Sequence, residues 1–268
     1  MNKEKVMSIL QNLKLAPQKS KGQNFLIDTD VSRVIVDLLN AQGETVLEIG
    51  PGLGSLTQYL LMKTPHFIAL DIDRGFIRYL KETYPNLDVI EKDFLKYNVP
   101  RETTTVISNI PYYITTKIIE KVITDTPNLK TFVFMTQKDV KVRLFAKPHS
   151  KDYGPLAIVL AVTGSLEEKM TVTADKFYPA PNVDSAVFRF KRKPVNFDIK
   201  AFYDFVKFSF LNRRKVLRNN LKPRYQDDVI LKAFETLGIS LDTRVEALGP
   251  DVIVSLFISL AANQEANT

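Results

Sequence analysis

The 268-residue chain has no cysteine and only two histidines, His66 and His149. Without cysteine, disulfides and thiolate metal sites are excluded. Neither histidine belongs to a cluster with ligand spacing, so no metal is expected, and a metal- or imidazole-based mechanism is disfavoured. No apolar run approaches the roughly 20 residues that a membrane-spanning helix needs. The opening residues, MNKEKVMSILQNLKLAPQKSKGQ, are basic but lack an apolar core followed by a small-residue cleavage site. No secretion signal is therefore expected, and a cytoplasmic protein with no membrane partner is the reading that follows. Acidic residues are in deficit, 30 against 37 Lys and Arg, which leaves a net charge of +7 and a pI near 9.3. That balance suits a polyanionic partner, and it also suits a basic surface kept for solubility.

What is present is a globular composition, 45% hydrophobic and 25% charged, with alternating helix and strand patterns from about residue 30 to 137. DVSRVIVDLLNAQ places Val31, Val34, Ile35, Leu38 and Leu39 on one helical face, with Asp30 as the expected N-cap. ETVLEIG, FIALDID, LDVIEKD, TTVISNI and KTFVFMTQ read as strands, separated by helical segments such as GFIRYLKETY and TTKIIEKVIT. Strands spaced by helices predict an α/β fold with a parallel sheet covered on both faces. KMTVTADKFY and DSAVFRFKRK predict antiparallel strands at one edge. KRKPVNFD reads as a linker, and everything after it as helical. The expected domains are 1–194 and a small all-α domain over 195–268.

EIGPGLGSL sets Gly50, Gly52 and Gly54 between a strand and a helix, where glycines permit a tight turn and close approach of a ligand. About 20 residues on, ALDIDR puts Asp71 and Asp73 at the end of the next strand, where a carboxylate can accept from ribose hydroxyls. G-x-G-x-G differs from the dinucleotide spacing G-x-G-x-x-G, so NAD and S-adenosylmethionine both stay open on this pattern. Asp93, in VIEKDFL, closes a third strand and suits either a helix cap or an adenine contact.

VISNIPYYIT poses a different problem. Pro111 has no N–H to give a sheet, so it ends the buried strand and leaves Asn109 and Tyr112 at the strand's mouth. In a parallel sheet, ligands bind at that mouth. The amide oxygen of Asn109 and a carbonyl flanking Pro111 are two acceptors. They can hold both hydrogens of a nucleobase amine and favour a pyramidal, nucleophilic nitrogen. The Tyr112 ring can stack on an extruded base. Methyl transfer from a sulfonium needs alignment more than acid–base help, so the lack of a His or Cys cluster is no obstacle.

KGQNFLID, EIGPGLGSLT, ALDID, EKDFL, NIPYYIT, AKPHSKDYGPL, FYPAPNVDSAVFRF and FLNRRKVLRNNL occur in this order. Together they make the chain, from about residue 15 to 260, resemble the ribosomal RNA adenine N6,N6-dimethyltransferases of the KsgA/Dim type. The resemblance implies a Rossmann-like S-adenosylmethionine-dependent methyltransferase domain followed by the helical domain. It implies S-adenosyl-L-methionine as cofactor, and as partner the small-subunit rRNA within the small ribosomal subunit or its precursor. Two adjacent adenosines near the 3′ end of that RNA would be dimethylated by a monomeric enzyme, with a role in subunit maturation. By motif, Asn24 and Leu26 would line the methionine end of the cofactor. Gly50 and Gly52 would lie beneath it, Asp71 would meet the ribose and Asp93 the adenine amine. Asn109, with Pro111 and Tyr112, would sit between cofactor and target, and Phe177 would face Tyr112 across the base. The chain departs from the family pattern at Asp71, usually Glu, at Ser108, commonly Gly, and at Tyr113, commonly Asn.

VKFSFLNRRKVLRNNLKPR carries Lys207, Arg213, Arg214, Lys215, Arg218, Lys222 and Arg224 and no acidic residue. Read as one helix, it puts Lys207, Arg214 and Arg218 on a shared face beside Val206, Phe210 and Leu217. Lys207, Arg213, Arg214, Lys215 and Arg218 are thus candidate RNA-phosphate contacts, with Lys14, Lys19 and Lys21 adding to the field. Two other readings compete. One is the large-subunit adenine methyltransferase of macrolide resistance, and the other a catalytically idle RNA-binding assembly or transcription factor of the same family.

Overall fold

Seven strands drawn from residues 46–192 pair into one sheet in the computed structural model, which describes residues 1–17, 22–64 and 67–265. Lys19, Lys21 and His66 lie outside the described residues. In chain order, the elements begin with α1 (Lys3–Asn12), β1 (Phe25–Leu26), α2 (Thr29–Asp37), β2 (Val46–Ile49), α3 (Thr57–Lys63), β3 (Ile68–Asp71), α4 (Arg74–Thr83) and β4 (Asp88–Glu91). Next come β5 (Thr105–Asn109), α5 (Thr115–Asp125), β6 (Thr131–Gln137), α6 (Lys141–Leu144), α7 (Pro155–Thr163), β7 (Gly164–Val172), β8 (Phe177–Tyr178) and β9 (Ser185–Arg192). Four helices complete the chain: α8 (Ile199–Ser209), α9 (Leu217–Leu221), α10 (Asp227–Leu237) and α11 (Pro250–Glu265).

The sheet order is β4-β3-β2-β5-β6-β9-β7. The first five are mutually parallel, and β9 runs antiparallel to β6, with Phe134 opposite Phe188. Successive strands step one way from β2 to β4, and the chain then returns to the other side of β2 as β5. The crevice at such a switch point, outside the carboxyl ends of the strands, is where this architecture binds ligands. Gly50, Asp71 and Asn109 stand there. β2 is buried along its whole length and β5 up to Asn109, as the central strands of a doubly covered sheet require. β1 and β8 form a separate antiparallel ribbon that pairs Phe25 with Tyr178 and Leu26 with Phe177.

Helix α2 differs in detail from its sequence reading. Asp28, not Asp30, is the N-cap: its backbone is extended and its carboxylate accepts from the N–H groups of Asp30 and Val31. Ile35, Val36 and Leu39 are buried while Val34 is 45% exposed, so the apolar face is rotated from the expected one.

By its internal packing the chain divides into two units, one of residues 1–140 and 166–192, the other of 141–165 and 193–268. The second unit therefore takes in α6 and α7, which the expected division at residue 194 places with the sheet. Helix α7 is apolar on every side and packs on α8 and α11. A helix without a polar face has no amphipathic period to announce it.

The long basic helix expected after residue 199 is two helices. α8 ends at Ser209 and α9 begins at Leu217, with a turn between them. The buried Asn220 donates to the carbonyls of Ser209 (2.8 Å) and Asn212 (3.2 Å), which stabilises the break by satisfying the end of α8. Lys207, Arg214 and Arg218 consequently share no helical face.

Candidate active site

The carboxyl ends of β2, β3 and β5, together with residues 22–26, enclose a cavity of about 310 Å³. Asn24, Leu26, Gly50, Gly52, Asp71, Asp93, Asn109, Pro111 and Tyr112 all line it. Two glycines shape its floor. Gly50 has φ +68°, and a Cβ there would meet no atom within 4 Å, so the backbone fronts open space. Gly52 has φ +56°, and a Cβ there would only touch the Phe25 ring, at 3.6 Å, so the constraint is the backbone conformation. Both conformations favour glycine.

Asp71 is 9% exposed, and both of its oxygens are engaged. Oδ2 accepts from the Gly52 N–H at 3.1 Å and Oδ1 from the Asp73 N–H at 2.9 Å. Burial pushes its carboxyl above the usual range, against the pull of these backbone donors. Asp93 caps the short 3₁₀ turn over Phe94–Lys96 through the Leu95 N–H (2.9 Å), one of its two expected roles, and faces the cavity as well. Glu48, on β2, is a cavity residue that the sequence reading did not single out. It is 1% exposed, accepts from the Thr57 hydroxyl at 2.7 Å, and its carboxyl is raised to about 8 by burial, opposed by Thr57 and aided by the Asp71 charge. An acidic residue inside an otherwise apolar strand was the available signal.

Asn109 ends β5 with its side chain half-buried, and among the described residues no hydrogen bond engages its amide. The carbonyl of Pro111 accepts from the Ile114 N–H (3.2 Å) and the Thr115 hydroxyl (3.4 Å), which leaves the Ile110 carbonyl as the acceptor beside Asn109. The Tyr112 hydroxyl lies 2.9 Å from the Ser185 hydroxyl. Tyr113, 58% exposed, stands at the rim. Ser108 is buried and donates to the Ile49 carbonyl at 2.8 Å, so its hydroxyl ties β5 to β2 and stays out of the cavity.

Phe177 is placed differently from its expected role. It is 3% exposed and packs in a core cluster with Leu26 and Val172, and the cavity lining does not include it. Its pairing with Leu26 across the β1–β8 ribbon accounts for this burial. The aromatic rings that do line the cavity besides Tyr112 and Tyr113 are Phe25, Phe76 and Phe94. Phe25 and Phe76 meet edge to face, with centroids 5.5 Å apart.

Of the five basic residues expected to contact RNA, Lys207, Arg213 and Arg218 are paired within the second unit. Arg213 bonds the Glu246 carboxylate and the carbonyls of Lys151 and Ser150. Arg218 makes a two-pronged contact with Asp227, which also lies 3.5 Å from Lys222. Lys207 pairs with Asp204 at 2.8 Å and lies over the Tyr203 ring. Arg214 and Lys215 are exposed and carry no ion pair among the described residues, and Leu211 in the same turn is 71% exposed.

This geometry can be set beside known proteins. Residues 15–262 match the family model described as ribosomal RNA adenine dimethylase. A relative from Geobacillus sp. (strain WCH70), "Ribosomal RNA small subunit methyltransferase A", is 40% identical, with 82% of this chain and 84% of that protein aligned. A protein of the same name from Mycoplasma mobile is 36% identical over 91% of this chain and 98% of its own. Among solved structures, a dimethyladenosine transferase from Plasmodium falciparum superposes with a TM-score of 0.74 at 26% identity, covering 90% of this chain and 98% of its own. The 23S rRNA methyltransferase ErmE gives 0.64 at 25% identity over 89% and 100%. The match spans nearly the whole chain: it belongs to the ribosomal RNA adenine dimethylase family.

Proposed function

We propose that the chain uses S-adenosyl-L-methionine to dimethylate N6 of two adjacent adenosines near the 3′ end of small-subunit rRNA. The observation that carries this reading is the shared cavity of Asn109 and Tyr112 with Gly50, Asp71 and Asp93. The residues fit the cofactor. Gly50 fronts open space with room for its chain, and Asp71 and Asp93 give the cavity an acidic character that suits a sulfonium and an ammonium. When bound, the cofactor supplies the electrophilic methyl group.

The chain's own residues do the rest. Asp71 holds the glycine loop through Gly52 and presents its carboxylate to the ribose. Asp93 faces the adenine amine from the next strand end. Asn24 and Leu26 close the methionine side. At the target, the Asn109 amide oxygen and the Ile110 carbonyl each accept one hydrogen of the base amine. The amine's lone pair would thereby be turned out of the ring plane and left free for the methyl that the cofactor supplies. Tyr112 supplies a face for the flipped base. Phe177, buried as it is, supports the ribbon beneath the cavity. Arg214 and Lys215 supply phosphate contacts from the helical unit.

The small-subunit target is favoured over the large-subunit one by the relatives. Those at 36–40% identity carry the small-subunit name, and the 23S enzyme stands at 25%. The test is to map labelled methyl groups on isolated small and large subunits that lack their adenine methylation. Two adjacent dimethyladenosines near the 3′ end are expected. Label appearing only on large-subunit RNA, or none at all in the presence of bound cofactor, would replace this reading with one of its competitors.

A further inference from the structure

The hydroxyls of Tyr112 and Ser185 meet at 2.9 Å across 73 residues of sequence. Ser185 is fully buried at the start of β9, and its backbone is paired with Gln137 at the end of β6. β9 is an interior strand, flanked by β6 and β7. Tyr112 sits on a single 3₁₀ turn, Tyr112–Ile114, that none of its own side chains caps and in which no residue is buried. A second hydroxyl pair secures the following residue: Thr115 Oγ1 lies 2.8 Å from Thr136 Oγ1 and also reaches the carbonyls of Pro111 and Tyr112. Both anchors start from the β6–β9 pair, since Thr136 is opposite Ala186, the neighbour of Ser185. The backbone of the turn is thus fixed through Thr115, whereas the far end of the Tyr112 ring is held by Ser185.

We propose that Ser185 is a positioning residue for methyl transfer: its hydroxyl fixes the tilt of the Tyr112 ring so that the target amine lies between Asn109 and the cofactor. This rests on the proposed function. A phenol with one end pinned has one ring orientation at the cavity rim. Released, the ring rotates about χ1 and χ2, and the base stacked on it moves out of line with the methyl. A misplacement of this kind lowers the rate of transfer without altering cofactor contacts, because Ser185 does not line the cavity.

The experiment compares wild type, Ser185→Ala, Tyr112→Phe, the double variant and Ser185→Thr. Single-turnover methyl transfer to unmodified small subunits is followed, and S-adenosylmethionine affinity is measured by calorimetry. Ser185→Ala is expected to slow transfer about fivefold or more, the scale of one lost hydrogen bond. Cofactor affinity should be unchanged, which also reports an intact fold. Tyr112→Phe removes the other hydroxyl and should give a similar loss. The double variant should be no slower than either single one, and Ser185→Thr should restore the rate. A wild type that binds cofactor but transfers no methyl to RNA would overturn the functional reading, and this proposal with it. If wild type transfers normally, a wild-type rate in Ser185→Ala or multiplicative losses in the double variant overturn the role of Ser185 alone.

Discussion

The backbone N–H of Gly52 donates to Asp71 Oδ2 at 3.1 Å, joining the glycine loop of one strand end to the carboxylate of the next. Asp71 thus acts twice, as a brace for the loop and as an acidic wall of the cavity. Aspartate, one methylene shorter than the family's usual glutamate, reaches Gly52 while also accepting from Asp73.

Asp71→Ala is expected to weaken S-adenosylmethionine binding by roughly 1–3 kcal/mol, the cost of losing hydrogen bonds to a charged group. Asp71→Asn keeps one acceptor and should lose less. Calorimetry on the folded variants checks both. Equal affinities for wild type and Asp71→Ala would take this carboxylate out of the site.

Asn109→Ala removes one of the two acceptors proposed to hold the target amine. Single-turnover transfer at saturating cofactor and subunit should fall by about 10²-fold or more, with subunit affinity nearly unchanged. A near-wild-type rate would reduce the Asn-Ile-Pro-Tyr segment to a strand-ending turn.

The pairing within the helical unit separates two classes of arginine. Changing Arg214 and Lys215 together to Ala should lower subunit affinity and flatten its dependence on salt, because fewer counterions are released. Arg213→Ala should instead destabilise the fold by roughly 1–3 kcal/mol, since it strips partners from Glu246 and two carbonyls. Salt titration of binding and thermal unfolding read the two effects independently. An unchanged salt slope in the Arg214/Lys215 variant would mean that these side chains are merely solvated.

Glu48 makes a prediction about pH. Its carboxyl titrates near 4.5 ordinarily and at about 8 when buried in the fold. Between those values the folded state binds more protons than the unfolded one. Its contribution to stability is complete below about 4.5 and is lost as pH rises through about 8. Glu48→Gln keeps an acceptor for Thr57 but does not titrate. Its advantage in thermal midpoint over wild type should therefore widen between about pH 5 and about pH 9. A constant difference would mean that Glu48 is ionised in the fold.

The local chemistry of the cavity was legible in the order of residues. A strand followed by closely spaced glycines, acidic residues at the next two strand ends, and a proline that halts a buried strand after Asn109 are all short-range patterns. Sterics and backbone hydrogen bonding impose them within a few residues, so Gly50, Asp71, Asp93, Asn109 and Tyr112 converge as their positions imply. Only the tertiary structure decided who partners whom over long distances. Arg213 and Arg218 stand in a segment with no acid, yet find Glu246 and Asp227 from later in the chain. Phe177 is covered because β8 pairs with β1, and α7 joins the helical unit because its apolar surface needs neighbours on every side. Ser185 reaches Tyr112 only once β9 has inserted beside β6. These contacts depend on which surfaces are buried together, a property of the packed chain that no local window of sequence contains.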